Sequence, residues 1–222
     1  MKKLFILSII STLFSLTAAD RFAVTFANGQ WNMENFIMVK SPRFSHVGRF
    51  LQNGDHIVNF TPAGLSNDEL LHCREAYAAM LTKTKYSGNV TVSSRMSFDH
   101  RMAPLIVIAP ELGESADGQF PEFRDHYEIV LFDEGINVWH HRYIDGKPSW
   151  YKLAYIKNSF SPQTIYDLQV TLTHTAKGPQ LVIRCGGNEF GCAMPAEFTA
   201  KEYHLGIIAC EGINRFYDFR IK

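Results

Sequence analysis

The chain has 222 residues, with 22 Lys and Arg balanced by 22 Asp and Glu, and 46% hydrophobic content of which aromatics are a large part. Such a balance offers no basic field to attract nucleic acid and no polybasic patch for an anionic membrane. The length is that of one large domain able to bury a real core.

The first nineteen residues, MKKLFILSIISTLFSLTAA, divide into three parts: a positive start at Lys2 and Lys3, an apolar run from Leu4 to Leu16, and a small-residue site at Thr17-Ala18-Ala19. The run is short for a membrane span, which takes about 20 apolar residues. Residues 1–19 are therefore expected to be a signal peptide and residues 20–222 a single β-sandwich domain. The expected location is secreted or periplasmic, with no stable membrane insertion after cleavage. Removing Lys2 and Lys3 leaves 20 basic against 22 acidic residues, and nucleic acid is not expected as a partner.

Along the chain, Ser66-Asn67-Asp68-Glu69 has the spacing of a capping box and predicts a short helix at about 66–75, with Tyr77–Thr82 returning to strand. In NVTVSSRMSF (89–98), Val90, Val92, Met96 and Phe98 alternate with polar residues. In YDLQVTLTH (166–174), Tyr166, Leu168, Val170 and Leu172 do the same. Period-two alternation marks strands with one face on a core and one face wet. Shorter runs such as FIMVK, HIVNF, PLIVIA, YEIVLF, NVWHHRY, QLVIR and YHLGIIA read alike, separated by turn signals at QNGD, YSGN, DEG, IDGKP and CGGN. A dozen or so strands with almost no helix predict an all-β antiparallel sandwich.

Four cysteines, Cys73, Cys185, Cys192 and Cys210, permit two disulfides in an exported chain. Cys185 with Cys192 and Cys73 with Cys210 is one such pairing; buried thiols are the other reading. Their spacing fits no zinc pattern.

The strand-and-turn series AYAAMLTK, YEIVLFDEGINVWHH, DGKPSW and GIIACEGINRFYDFRIK, spanning about 77–222, resembles concanavalin A-like lectin/glucanase domains. Its closing strand is similar to that of secreted laminin-G-like and 3-keto-disaccharide-hydrolase-like bacterial proteins. The resemblance implies a jelly roll of two curved antiparallel sheets, with glycans held on the concave face or at the loop rim. Glucanases of that superfamily carry E-x-D-x-x-E or E-x-D-x-E along one strand. Here Glu122, Asp125 and Glu128 stand three and three apart, so Asp125 points away from the two glutamates in a regular strand.

In VWHHRY, His140 and His141 face opposite sides of a strand and cannot share one metal. No metal site and no cofactor are expected. A three-residue loop at Asp133–Gly135 sets Phe132 opposite Ile136. A two-residue loop is expected to set Glu128 opposite His141, Val130 opposite Trp139 and Phe132 opposite Asn137. Either register keeps Asn137, Trp139 and His141 on one face. An aromatic plane beside amide and imidazole groups suits a sugar, and also suits a half-buried patch on the sheet. Trp150 could extend that platform as a rim residue, with Asp145, Lys147 and Tyr151 around it. Arg95, His100 and Arg101 offer guanidinium groups for a uronate or sulfated sugar, or ordinary strand-face ion pairs.

The expected function is glycan binding through Asn137, Trp139, His141, Trp150 and Arg95. The alternative is a polysaccharide-degrading enzyme. As a lyase it would use Arg95, His141 and Tyr127 or Tyr143; as a hydrolase, Glu122 and Glu128. His126 and Glu128 share a face and form a possible proton-transfer pair. In the second EGIN, Glu211, Asn214 and Arg215 are either mouth residues or a structural hairpin. The acidic loop 110–125 has no recognised calcium pattern.

Overall fold

A computed structural model describes residues 20–101 and 103–222; the expected leader at 1–19 lies outside the described residues. Two sheets face each other. The first runs in the order Asn188–Ala193, Gly178–Cys185, Tyr166–Thr175, Val90–Phe98, Asn214–Phe216, His56–Asn59 and Phe50–Asn53. Phe22–Thr25 joins it through Asp218–Ile221, which also pairs with Val90–Phe98. The second runs Lys147–Lys157, Gly135–Ile144, Pro121–Phe132, Pro104–Glu114, Glu202–Ala209, Ala78–Thr82 and Phe36–Met38, with Tyr86–Ser87 on the other end of Glu202–Ala209. Every strand ladder among the described residues is antiparallel.

The alternating residues do what their period demands. Val90, Val92, Met96 and Phe98 from one sheet and Ile106, Ile108, Ile129, Leu131 and Val138 from the other fill the space between them. Deleting one of these buried side chains to alanine costs about 2–5 kcal/mol, because the close-packed surroundings only partly collapse. Ala78–Thr82 is buried at every position, since both its faces are covered. Its second cover is a smaller core on the outer face of the eight-stranded sheet, where Ala79, Leu81, Leu105, Val107, Val130 and Ile208 pack with Val39, Tyr77 and Phe123. Segment 40–49 lies over part of this face. At Gly48 a side chain is impossible, because an added Cβ would stand 1.7 Å from the Tyr77 carbonyl oxygen.

The single α-helix among the described residues is Asn67–Leu71. Its capping box forms as predicted, with Ser66 and Glu69 exchanging side-chain and backbone hydrogen bonds. It is shorter than expected, and a 3-10 turn at Arg74–Ala76 follows it. The last strand of the eight-stranded sheet, Lys147–Lys157, enters from a two-residue turn at Asp145-Gly146.

All four cysteines are free, the unpaired of the two readings that the sequence leaves open. The hairpin register explains one pair: Cys192 lies opposite Leu181 and Cys185 opposite Asn188. The two cysteines are therefore four strand positions apart, roughly 13 Å at about 3.3 Å per residue. Bridging needs Cα atoms within about 7 Å. Cys73 is hydrogen-bonded to Glu75, 3.4 Å away.

Candidate functional site

The hairpin of Pro121–Phe132 and Gly135–Ile144 sets the site. Its loop has two residues, Asp133 and Glu134, with Phe132 opposite Gly135. The ladder is displaced by two positions from the expected two-residue register, so parity survives while the partners change. Trp139 faces Glu128, and His141 faces His126. Gly135 makes this loop possible: its φ is 151°, and an added Cβ would meet the Ile156 carbonyl oxygen at 2.1 Å. Tyr127, Ile129 and Leu131 point into the main core. His126, Glu128, Asn137, Trp139 and His141 therefore share the outer face.

Glu128 is the centre of that face. One carboxylate oxygen lies 3.2 Å from His126 Nε2 and the other 3.2 Å from His141 Nε2, and all three residues are buried. Burial alone raises a carboxyl pKa, but the attraction of His141 and the hydrogen bonds from both imidazoles outweigh it and hold Glu128 well below its ordinary range. Burial pushes the His126 imidazole down, towards its neutral form, against the pull of Glu128. The rings of Phe123, His126, His141 and Trp150 form a stack across three strands, with centroids 4.2, 4.9 and 6.4 Å apart and successive planes within 29° of parallel.

Around this stack lies a cleft of about 270 Å³. Glu128, Asn137, Trp139, His141 and Trp150 line one side, and Arg43, Arg101 and Glu211 close it. Trp150 is 50% exposed. Trp139 is partly covered, because the Lys152 ammonium sits 4.8 Å above its ring. Asn137 Oδ1 is buried without a hydrogen-bond partner in the protein. Arg101 reaches the hairpin turn, 3.5 Å from Asp133 and 3.4 Å from Glu134. Burial pushes Glu211 above its ordinary range, against the opposing charge of Arg43.

No protein-family model matches this sequence, and a search among curated proteins gives no match. Solved structures do match in shape. A legume lectin-like domain from Entamoeba histolytica superposes with a TM-score of 0.57 at 14% identity, covering 93% of this chain and 98% of that one. Carbohydrate binding module CBM66 from Bacillus subtilis gives 0.52 at 11% identity, over 82% and 92%. A Bacteroides ovatus GH16 protein of a mixed-linkage glucan locus, in complex with a G4G4G3G product, gives 0.53 at 10%, over 90% and 99%. The chain has the concanavalin A-like fold.

The concanavalin A-like sandwich separates several residues that the sequence groups together. Arg95 belongs to the nine-stranded sheet, where its Nε lies 2.6 Å from the buried carboxylate of Asp218. It does not share a groove with His141, which lies in the other sheet. His100 is 4.0 Å from Asp68, away from both. Tyr127 points to the core side of its strand, stacked on His140 at 4.2 Å, and burial raises its pKa strongly. Tyr143 sits under the Arg124 guanidinium, 5.8 Å from its ring centroid.

Glu122 is paired with Arg124, while Glu128 is held by two histidines. The strand is irregular between them: Phe123 stacks on His126, whereas Asp125 bonds His140 on the other side. Alternation counted from the sequence thus fails across 123–125. Asp145 and Lys147 lie at the hairpin turn, and Tyr151 turns away from the cleft. Its hydroxyl is 2.8 Å from Nδ1 of the fully buried His140, whose Nε2 is 2.8 Å from Asp125. In the second EGIN, Asn214 holds the Glu211 carbonyl at 2.6 Å and Arg215 forks onto Asp99 at 2.8 and 3.0 Å; only Glu211 reaches the cleft. In the acidic loop, Asp117 bonds Ser115 at 2.6 Å and Lys40 at 3.4 Å.

One member escaped sequence reasoning altogether. Arg43 arrives on the segment that covers the sheet, 85 positions from Glu128, and no local pattern announces it. The meeting of His126 with His141 depends on cross-strand register. The H-x-E spacing of 126–128 was its one visible signal, through the shared face of its two residues.

Proposed function

We propose that this protein is exported and binds a polysaccharide or oligosaccharide in the cleft on the outer face of the eight-stranded sheet. The observation that carries the reading is Trp150: a half-exposed indole ring, nearly parallel to His141, at the edge of a cleft that also holds the unpartnered Asn137 oxygen. An indole offers an apolar plane to a pyranose face, while amide, imidazole and guanidinium groups pair with its hydroxyls. Arg43 and Arg101 add positive charge at the cleft, which suits a glycan bearing carboxylate or sulfate. The folds of a lectin-like domain and of a carbohydrate binding module add support by analogy alone. Export rests on the leader-like residues 1–19.

A second reading, glycoside hydrolysis, is favoured by one observation. Glu128 and Glu211 line the same cleft, and their surroundings push one carboxyl down and the other up, as a nucleophile and an acid require. The lyase set built on Arg95, His141 and Tyr127 or Tyr143 lacks such support, since Arg95 lies in the other sheet and pairs with Asp218.

One assay read in several channels tests both readings. The protein is incubated with neutral, uronate and sulfated polysaccharides; pull-down, reducing ends and unsaturated-sugar absorbance are recorded together. Binding without products supports the binding module. Reducing ends lost in Glu211→Gln support hydrolysis. Silence in every channel sinks both.

A further inference from the structure

The grouping of His126, Glu128 and His141 has a property beyond glycan contact. Their donor atoms, one from each residue, all lie within 4.8 Å of one another. We propose that His126 Nε2, His141 Nε2 and the Glu128 carboxylate form a binding site for a divalent transition metal of the zinc class, with its remaining position open to the cleft.

The chemistry of the donors comes first. Two imidazoles and one carboxylate are a ligand set for zinc and its neighbours, and three protein ligands leave a fourth position for water or a ligand. Calcium and magnesium prefer all-oxygen surroundings, which this trio does not offer.

Spacing follows. Ligands at 2.0–2.2 Å from a tetrahedral centre stand roughly 3.4 Å apart. Both histidine–carboxylate separations are 3.2 Å, on different oxygens of the same carboxylate. The two imidazole donor atoms lie within 4.8 Å of each other, so drawing both onto one ion requires a small turn of the rings.

The scaffold is rigid. His126 and His141 are directly opposed across one antiparallel ladder, and Glu128 follows His126 by two residues on the same face. Sites built on strands hold their geometry better than sites on loops. Phe123 and Trp150 bracket the imidazoles from either end of the stack. Glu128 and His141 both line the cleft, so the metal has an entry path. Arg43 and Arg101 are fixed cations on the same cleft, and Glu211 shares it with them.

Untagged protein, stripped with chelator and dialysed, is titrated with zinc chloride by calorimetry and with cobalt chloride by visible absorption. Imidazole nitrogens are followed by long-range proton–nitrogen correlation NMR. The expected result is one metal per chain, a cobalt spectrum of low coordination number, and Nε2 shifts confined to two of the nine histidines. His126→Gln and His141→Gln are expected to weaken binding by about 100-fold or more, beyond the loss typical of a merely orienting neighbour. Absence of zinc and cobalt binding to folded wild-type protein overturns the proposal. So does undiminished binding in His141→Gln, or shifts on other histidines. Where a variant fails to fold, the wild-type nitrogen shifts decide alone.

Discussion

His126 and His141 sit directly across one strand ladder with their rings stacked at 4.9 Å, and each offers Nε2 to a different oxygen of Glu128. Three buried ionisable groups are thereby gathered on one face of a sheet whose other face carries the main core and, behind the trio, His140 with Asp125. Buried charge is tolerated only when paired and hydrogen-bonded, and here each group pairs within the trio. Trp150 extends the same ring stack into the open cleft, which joins the buried trio to the surface where a sugar would lie.

Trp150 and Trp139 differ in what a ligand can reach. Trp150→Ala is expected to weaken glycan binding about tenfold, equivalent to about 1.4 kcal/mol, with little change in melting temperature because the ring is half exposed. Trp139→Ala is expected to weaken it less, since Lys152 already covers one ring face. Affinity electrophoresis in the retained polysaccharide, with a thermal melt alongside, separates the two. Equal losses in both variants would refute the assignment of Trp150 as the principal platform.

Arg95 is expected to matter to the fold and not to the cleft. Arg95→Ala leaves the carboxylate of Asp218, 3% exposed, with Arg220 at 3.1 Å as its remaining cation. Removing one partner of a buried charged hydrogen bond costs about 1–3 kcal/mol. Urea denaturation should show that loss while glycan retention stays at the wild-type level. A selective loss of binding would place Arg95 back in the site.

The four cysteines should behave as poorly reactive free thiols rather than as disulfides. Burial raises the pKa of all four, to about 12 for Cys185 and Cys210. A thiol reagent at mildly alkaline pH is expected to react slowly with native protein and to count four free thiols after denaturation. Reductant should leave the melting temperature unchanged; a fall on reduction would reveal a bridge.

His204 gives a pH dependence of known sign. Its Nδ1 lies 2.9 Å from the Thr82 carbonyl oxygen, and burial holds its pKa below the ordinary value despite that bond. In the unfolded chain the group takes up a proton near pH 6.5. Between that value and the lower folded one, the unfolded state binds more protons, so acid favours unfolding. Stability is therefore expected to be complete above about pH 6.5 and to decline as pH falls through the window below it. His204→Gln should flatten that part of the profile in melts from pH 7.5 to 4.5. Identical profiles for the two proteins would remove His204 as a contributor.

Much of the sandwich was legible because its signals are local. Val90, Val92, Met96 and Phe98 alternate with a period of two, and all four lie in the main core. Ser66 and Glu69 form their capping box from four consecutive residues. The grouping of Asn137, Trp139 and His141 also follows from one strand's parity and survives the change of register. The opposed faces of His140 and His141 were equally plain.

What tertiary structure alone decided is everything that depends on a partner strand. Sequence carries parity within one strand, but the ladder between two strands is set by the turn. The two-residue turn at Asp133-Glu134 sets His126, rather than Glu128, opposite His141. Likewise Arg95 looked like a neighbour for His141, since nothing local says that Val90–Phe98 and Gly135–Ile144 enter different sheets. Glu122 and Glu128 seemed to share a face until the irregularity at 123–125 broke the count. Arg43 joined the cleft because the segment carrying it packs over the sheet, a contact driven by the apolar patch around Tyr77. The sequence by itself determined the strands and, where alternation is regular, which of their residues share a face. The assembly of the cleft was decided by long-range packing, because hydrophobic burial is non-directional and only the packed structure picks which faces meet.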